Sequence, residues 1–350
     1  MKPLRLAMFA ALAPVLAAPA SGLAQESDDA REFDPTLEEW QVPWLESRPR
    51  DPYVAPDGRV WFVGQRSHYA AVLDPVTGEF RKYDLPDGAG PHTVVVGTDG
   101  MVWYTGNRVG NIGRIDPATG DIEIFPMPDE RARDPHTFAF NAAGDLWFTV
   151  QGGNFVGKFW RETGDVRLVE MPDNPEGRGG STRPYGLKMD SRDRPWATLF
   201  GTNQLVMVDP ETFEPTYYEL PEGARPRRLV IDSRDIVWYV DYARGYLGRV
   251  DPETAEVTEW ANPSGEGARP YGVAIDEHDR VWFVETGVRP NRFVGFDTRR
   301  EEYFSEVDVA SGGGTIRHMY FDPKTSTIWF GTDVNTVGRA VLPPLRRVSE

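Results

Sequence analysis

Three of the five histidines in this 350-residue chain stand at equivalent places in a repeat: His92, His136 and His318. The first two sit in closely similar tetrapeptides, Gly90-Pro91-His92-Thr93 and Asp134-Pro135-His136-Thr137. In other copies of the repeat the same place holds Arg50, Tyr185, Arg227 and Tyr271, each directly after a proline: Pro49, Pro184, Pro226 and Pro270. Imidazole and phenol can move protons, and guanidinium grips carboxylate or phosphate. Seven large polar side chains meet only if the repeat is rotational. The pattern then predicts one pocket for a small-molecule or peptide ligand, with Arg50, His92, His136, Tyr185 and Arg227 as contacts. The plainer alternative is that these side chains merely plug the opening and bond to neighbouring units.

A second set of candidates is acidic. Asp241, Glu285 and Asp333 follow a tryptophan by three or four residues in the last three copies, where other copies carry Gly, Asn, Gln or apolar residues. Together they would make one sector of the pocket anionic. Asp241 is then a further ligand contact, and Glu285 with Asp333 could hold a cation. Solvated strand-end carboxylates are the ordinary alternative.

The elements that must position these residues follow from the tryptophans. Trp61, Trp103, Trp147, Trp196, Trp238, Trp282 and Trp329 recur 42 to 49 residues apart, and six of the seven precede Phe or Tyr, Ala197 being the exception. That period marks propeller blades. Within one unit, Thr93 to Val96, Met101 to Thr105, Gly113 to Ile115 and Ile122 to Pro126 read as four strands parted by turns such as Thr98-Asp99-Gly100 and Asp116-Pro117-Ala118-Thr119-Gly120. The first six tryptophans each follow a proline by twelve residues, which places the candidate side chains at the entry of each innermost strand. The last unit lacks an outer strand, whereas Glu38 to Pro43 reads as a spare one. The fold class is therefore all-β, a seven-bladed β-propeller of four-stranded blades, closed by the N-terminal strand (residues 37 to 43) joining the last blade.

Residues 1–24 read as a signal peptide: Lys2 and Arg5, an apolar run from Leu6 to Ala18 too short to span a bilayer, and small residues at Gly22-Leu23-Ala24. Residues 25–36 read as a flexible segment, 37–344 as the single propeller and 345–350 as a tail. Export, most simply to a periplasm, and no stable membrane insertion are expected, with a monomer as the default. The chain has no cysteine, which excludes disulfides, zinc-thiolate sites and thiol nucleophiles. A formal charge of −16 argues against nucleic acid as a partner.

The segments Arg269-Pro270-Tyr271-Gly272-Val273, Asp279-Arg280-Val281-Trp282-Phe283-Val284-Glu285 and Gly248-Arg249-Val250-Asp251 resemble the virginiamycin B lyase (streptogramin lyase) family, across residues 37 to 344. The resemblance implies a seven-bladed propeller and magnesium-dependent opening of a cyclic ester by elimination. It implies catalytic roles for His318, for the place of Tyr271 and for an acid near Asp333, with Glu285 close to the reacting bond. Two places depart from the family: Tyr271 stands where the lyases carry histidine, and Ile316 where they carry glutamate. A phenol of ordinary pKa near 10 is a weak base at neutral pH, and isoleucine cannot bind a metal. The Pro-His-Thr pair of blades two and three offers another place for the chemistry on a near-symmetric ring.

Two function classes follow. One is a lyase-like enzyme acting on a small ester, lactone or cyclic peptide. The other is a non-catalytic ligand- or protein-binding propeller. A calcium-dependent lactonase of the six-bladed gluconolactonase type fits seven repeats poorly.

Overall fold

The computed structural model describes residues 33–175 and 180–344. The signal-peptide and tail readings, and most of the segment expected to be flexible, lie outside these residues. The described chain forms seven four-stranded antiparallel sheets, six of them taken in chain order from the channel outward. Blade one spans 49–84, blade two 94–126, blade three 135–170, blade four 184–219, blade five 226–261 and blade six 270–308. Blade seven takes three strands from 319–341 and its outermost from Thr36–Gln41. Among the described residues there is no α-helix, and none is long and apolar enough to cross a membrane.

Closure is made by side chains as well as by the ladder, in which Thr36 faces Val341 and Gln41 faces Thr336. Trp40 stacks on Trp329 with centroids 5.5 Å apart, and the Arg339 guanidinium lies 5.2 Å from the Trp40 ring while pairing with Glu38. Asn335 ties the incoming chain to the same corner, donating to the carbonyl oxygens of Val42 and Trp44. The observed strand ends at Gln41 and begins one residue earlier than the sequence reading had it.

The seven repeated tryptophans lie on the second strands and are buried. In blades four, five and six the indole N–H donates to an aspartate six residues earlier: Asp190, Asp232 and Asp276, at 2.9, 3.2 and 2.9 Å. Blades two and three carry Gly97 and Asn141 at that place, and the indoles of Trp103 and Trp147 have no hydrogen-bond partner. In four blades the aromatic residue after the tryptophan has its own constraint, because its ring covers a glycine opposite on the third strand. Tyr104 faces Gly113, Phe148 faces Gly157, Tyr239 faces Gly248 and Phe330 faces Gly338. A Cβ on Gly157 would come within 2.4 Å of the Phe148 ring. Blade four inverts the pair, with Ala197 opposite Val206, whereas blade six sets Phe283 opposite Val294 and places its glycine, Gly295, opposite Trp282. Volume is exchanged between strands while the register is kept.

Gly157→Val should cost about 1–3 kcal/mol of stability by overpacking against Phe148. The double variant Phe148→Ala with Gly157→Val recreates the blade-four pairing and should recover part of that loss in a urea titration. If the single variant is as stable as the parent, the close approach described here is not a constraint.

Candidate functional site

Each inner strand of blades one and three to six carries a register shift just after its leading proline, for example between Pro135 and Phe138 and between Pro184 and Leu187. Such bulges re-aim a side chain and leave backbone groups without ladder partners. A threonine two residues after the tryptophan satisfies them in blades two to four. Thr105, Thr149 and Thr198 accept from the backbone N–H of Thr93, Thr137 and Gly186. The same hydroxyls donate to the carbonyl oxygens of His136, Tyr185 and Arg227 on the following blade, at 3.2, 2.8 and 3.1 Å. This Trp-x-Thr spacing was a legible signal for the ring that sequence reasoning passed over.

The structure brings the six proline-adjacent side chains and His318 to one end of the channel. The rings of His92 and His136 lie 3.5 Å apart, His136 and Tyr185 4.1 Å, and the hydroxyls of Tyr185 and Tyr271 are hydrogen-bonded. Arg227 spreads over this floor, 3.6 Å from the Tyr271 centroid and 4.3 Å from that of Tyr242. Arg50 donates to Gln65. The floor is tightly closed: Arg50, His92, His136, Tyr185 and Tyr271 are 6, 2, 3, 3 and 1% exposed. Arg227 and His318 remain partly open.

Two residues missed in the sequence stand at the centre. Asp51 and Arg228 each come one place after a ring residue, and their charges meet across the channel at 3.5 Å. Arg228 also donates to the Thr137 hydroxyl and to the Arg317 carbonyl oxygen, so one side chain touches blades one, three and seven. Asp51 has a left-handed backbone (φ 45°) and accepts from the Thr93 hydroxyl at 2.7 Å, with Arg50 3.6 Å away. Of the seven residues at this place only these two are charged, which was the available clue.

Charge at the floor follows from burial. Burial, then Arg50 and His136, keep His92 well below the ordinary 6.5; burial, then Arg228 and Arg50, do the same for His136. Burial lowers His318 to about 3, Asp51 opposing and Arg228 adding to the shift. Burial would raise the Asp51 carboxyl, but His318, Arg228, Arg50 and the Thr93 bond hold it far below the usual range. Burial likewise raises the Tyr185 phenol, yet Arg227, Arg50, Arg228 and the Tyr271 hydroxyl outweigh it and bring it down to about 7. Tyr271 moves the other way, raised by burial and then by Tyr185.

The three acids do not face this floor together. Asp241 accepts from the backbone N–H of Arg225 and Ala243 and pairs with Arg244. Glu285 accepts from the backbone and hydroxyl of Ser264. Both are fully buried and brace the loops between blades. Asp333 stands at the mouth but is gripped by Arg317, with Arg48 3.5 Å away. The sector read as anionic is a guanidinium sector. The place of Ile316 is apolar and buried, and among the described residues no group of three or more His, Asp or Glu could hold one metal ion. The donor set does not fit the magnesium that the lyase resemblance implies.

A sequence model of the virginiamycin B lyase family matches residues 30–177. The same likeness extends to three dimensions. Virginiamycin B lyase from Staphylococcus aureus is 24% identical, with 88% of this chain and 100% of that one covered at a TM-score of 0.78. The likeness is to the virginiamycin B lyases. A streptogramin B lyase structure is similar at 23% identity, 88% and 98% coverage and a TM-score of 0.78. The extracellular domain of a one-component system from B. thetaiotaomicron shares the architecture at 16% identity, 88% and 42% coverage and a TM-score of 0.66. No curated protein matches the sequence. The propeller architecture is thus shared with two lyases and with an extracellular domain.

A histidine buried neutral binds fewer protons when folded than when unfolded, so its contribution is whole above pH 6.5 and is lost as pH falls toward the folded value. Below pH 6.5 the protein should lose about 1.4 kcal/mol per pH unit for each such histidine. The melting temperature should fall steeply from pH 6.5 to pH 4.5, and less steeply in His92→Gln. Equal slopes in the two proteins would mean that His92 is not held neutral.

Proposed function

We propose that this chain is a ligand-binding propeller of the lyase type that holds an anionic small molecule or peptide at the channel mouth. The observation that carries the reading is the surplus of guanidinium there. Among the described residues, Arg48, Arg50, Arg227, Arg228 and Arg317 face two carboxylates, Asp51 and Asp333. In a chain of formal charge −16, a cationic mouth draws anions toward it and away from the rest of the surface. Buried nitrogens of Arg50 without partners, Nε and Nη2, add to the demand for an acceptor. The leader-like first 24 residues and the extracellular relative support an exported, periplasmic location.

Melting temperature measured with citrate, inorganic phosphate and MgCl2 tests this reading. Citrate should stabilise the protein, by about 2.7 kcal/mol at a hundred times its dissociation constant, and the shift should shrink in high salt and in Arg227→Gln. Stabilisation by Mg2+ alone, abolished by Asp333→Asn, would instead favour metal-assisted elimination.

One observation favours a second, catalytic reading. The Tyr185 and Tyr271 hydroxyls share a hydrogen bond, and with the Tyr185 phenol, despite burial, brought down to about 7 by Arg227 and Arg50 the pair would serve as a dyad in which Tyr271 donates to a Tyr185 phenolate. Such a phenolate could take a proton beside the carbonyl of a small ester or lactone. The electron pair then forms the C=C bond as the C–O bond breaks, and the carboxylate leaves toward Arg227. Absorbance at 295 nm should show one phenol titrating near pH 7, absent in Tyr185→Phe and shifted upward in Arg227→Gln. A first phenol transition only above pH 9 would remove this base and leave the binding reading.

A further inference from the structure

The other end of the channel is built from different chemistry. There the inner strands of blades four to seven enclose a cavity of about 310 Å3. Met189, Ile231, Ile275, Met319 and Phe321 supply much of its wall, and Lys188 is its only charged lining residue. A volume near 300 Å3 with an apolar wall and one placed charge is the small end of the ordinary ligand-site range.

Lys188 stands apart from the other lysines of the described chain. Lys82 pairs with Asp84, Lys158 with Asp145, and Lys324 donates to the Pro56 carbonyl oxygen. Among the described residues the Lys188 ammonium has no hydrogen bond or ion pair. Facing it from blade five is Arg228, from blade one Asp51 and from blade seven His318, while blade six presents Ala274 and Ile275. Asp51 is already shared by Arg228, Arg50 and the Thr93 hydroxyl. His318 is held neutral by burial. One carboxylate thus faces three cations in the channel interior, and the Lys188 ammonium, partly open to the cavity, is left without an anion of its own. Burial and then Arg228 lower the amine to about 8.

We propose that this cavity is a second binding site that takes a small amphiphilic carboxylate, its anionic head on Lys188 and its hydrocarbon body against Ile231, Ile275 and Met319. The apolar wall selects the body by area removed from water, and the surplus charge selects the head. The site is separate from the histidine–tyrosine ring, and its occupant enters from the opposite face.

Calorimetric titration with octanoate tests the proposal on the whole protein. Octanoate should bind at pH 7 and at least tenfold more weakly at pH 9.5, where the amine has lost its proton. Lys188→Met should weaken binding at least tenfold, and 1-octanol should bind the parent far less well than octanoate. Absence of binding, or equal binding by parent and Lys188→Met, overturns the proposal. Binding that follows Arg227→Gln rather than Lys188→Met moves the ligand to the ring and also overturns it. Should Lys188→Met fail to fold, acetylation of the parent mapped by peptide mass decides: octanoate must protect Lys188 selectively, and unprotected modification ends the idea.

Discussion

The contact between Arg228 and Asp51 sets the terms for the rest of the interior. It crosses the channel from blade five to blade one, and the same guanidinium reaches blades three and seven. Breaking a buried pair of this kind typically costs about 3–5 kcal/mol, because the remaining charge is left without compensation. The histidines stay neutral because they are buried and because a further positive charge beside Arg228 and Arg50 is unfavourable, while Tyr185, raised by burial, is drawn toward its anion by Arg227, Arg50 and Arg228.

Symmetry supplies the convergence, and its breaking supplies the chemistry. All seven blades use a buried tryptophan on the second strand, yet the groups bonded to that framework differ around the circle. Blades two to four use Trp-x-Thr to fix the ring backbone of the next blade. Blades four to six use an aspartate beneath the indole. Acids that might have formed a cation site are instead spent on loops by Asp241 and Glu285, or matched by arginine at Asp333. The result is a cationic mouth on an acidic protein, joined through one channel to an apolar cavity with a single lysine.

Much of the architecture was written in the chain. Tryptophan spacing, the prolines twelve residues before, and the spare N-terminal strand follow from local rules of turn, strand and closure, which act on short segments and leave periodic marks. The residues of the ring could be named for the same reason, since one rotational repeat places equivalent positions on one axis. Even the exception at Ala197 was visible as an exception, although the residue it faces, Val206, needed the strand register.

What the tertiary structure alone decided is where each charged group finds its partner. Asp51 and Arg228 are 177 residues apart, Arg317 takes Asp333 out of any metal set, and Ser264 does the same for Glu285. Lys188 is unremarkable in sequence and becomes notable only because four blades wall it in. Pairing and desolvation depend on distances of a few ångströms between remote segments, and no local pattern in a single chain encodes them.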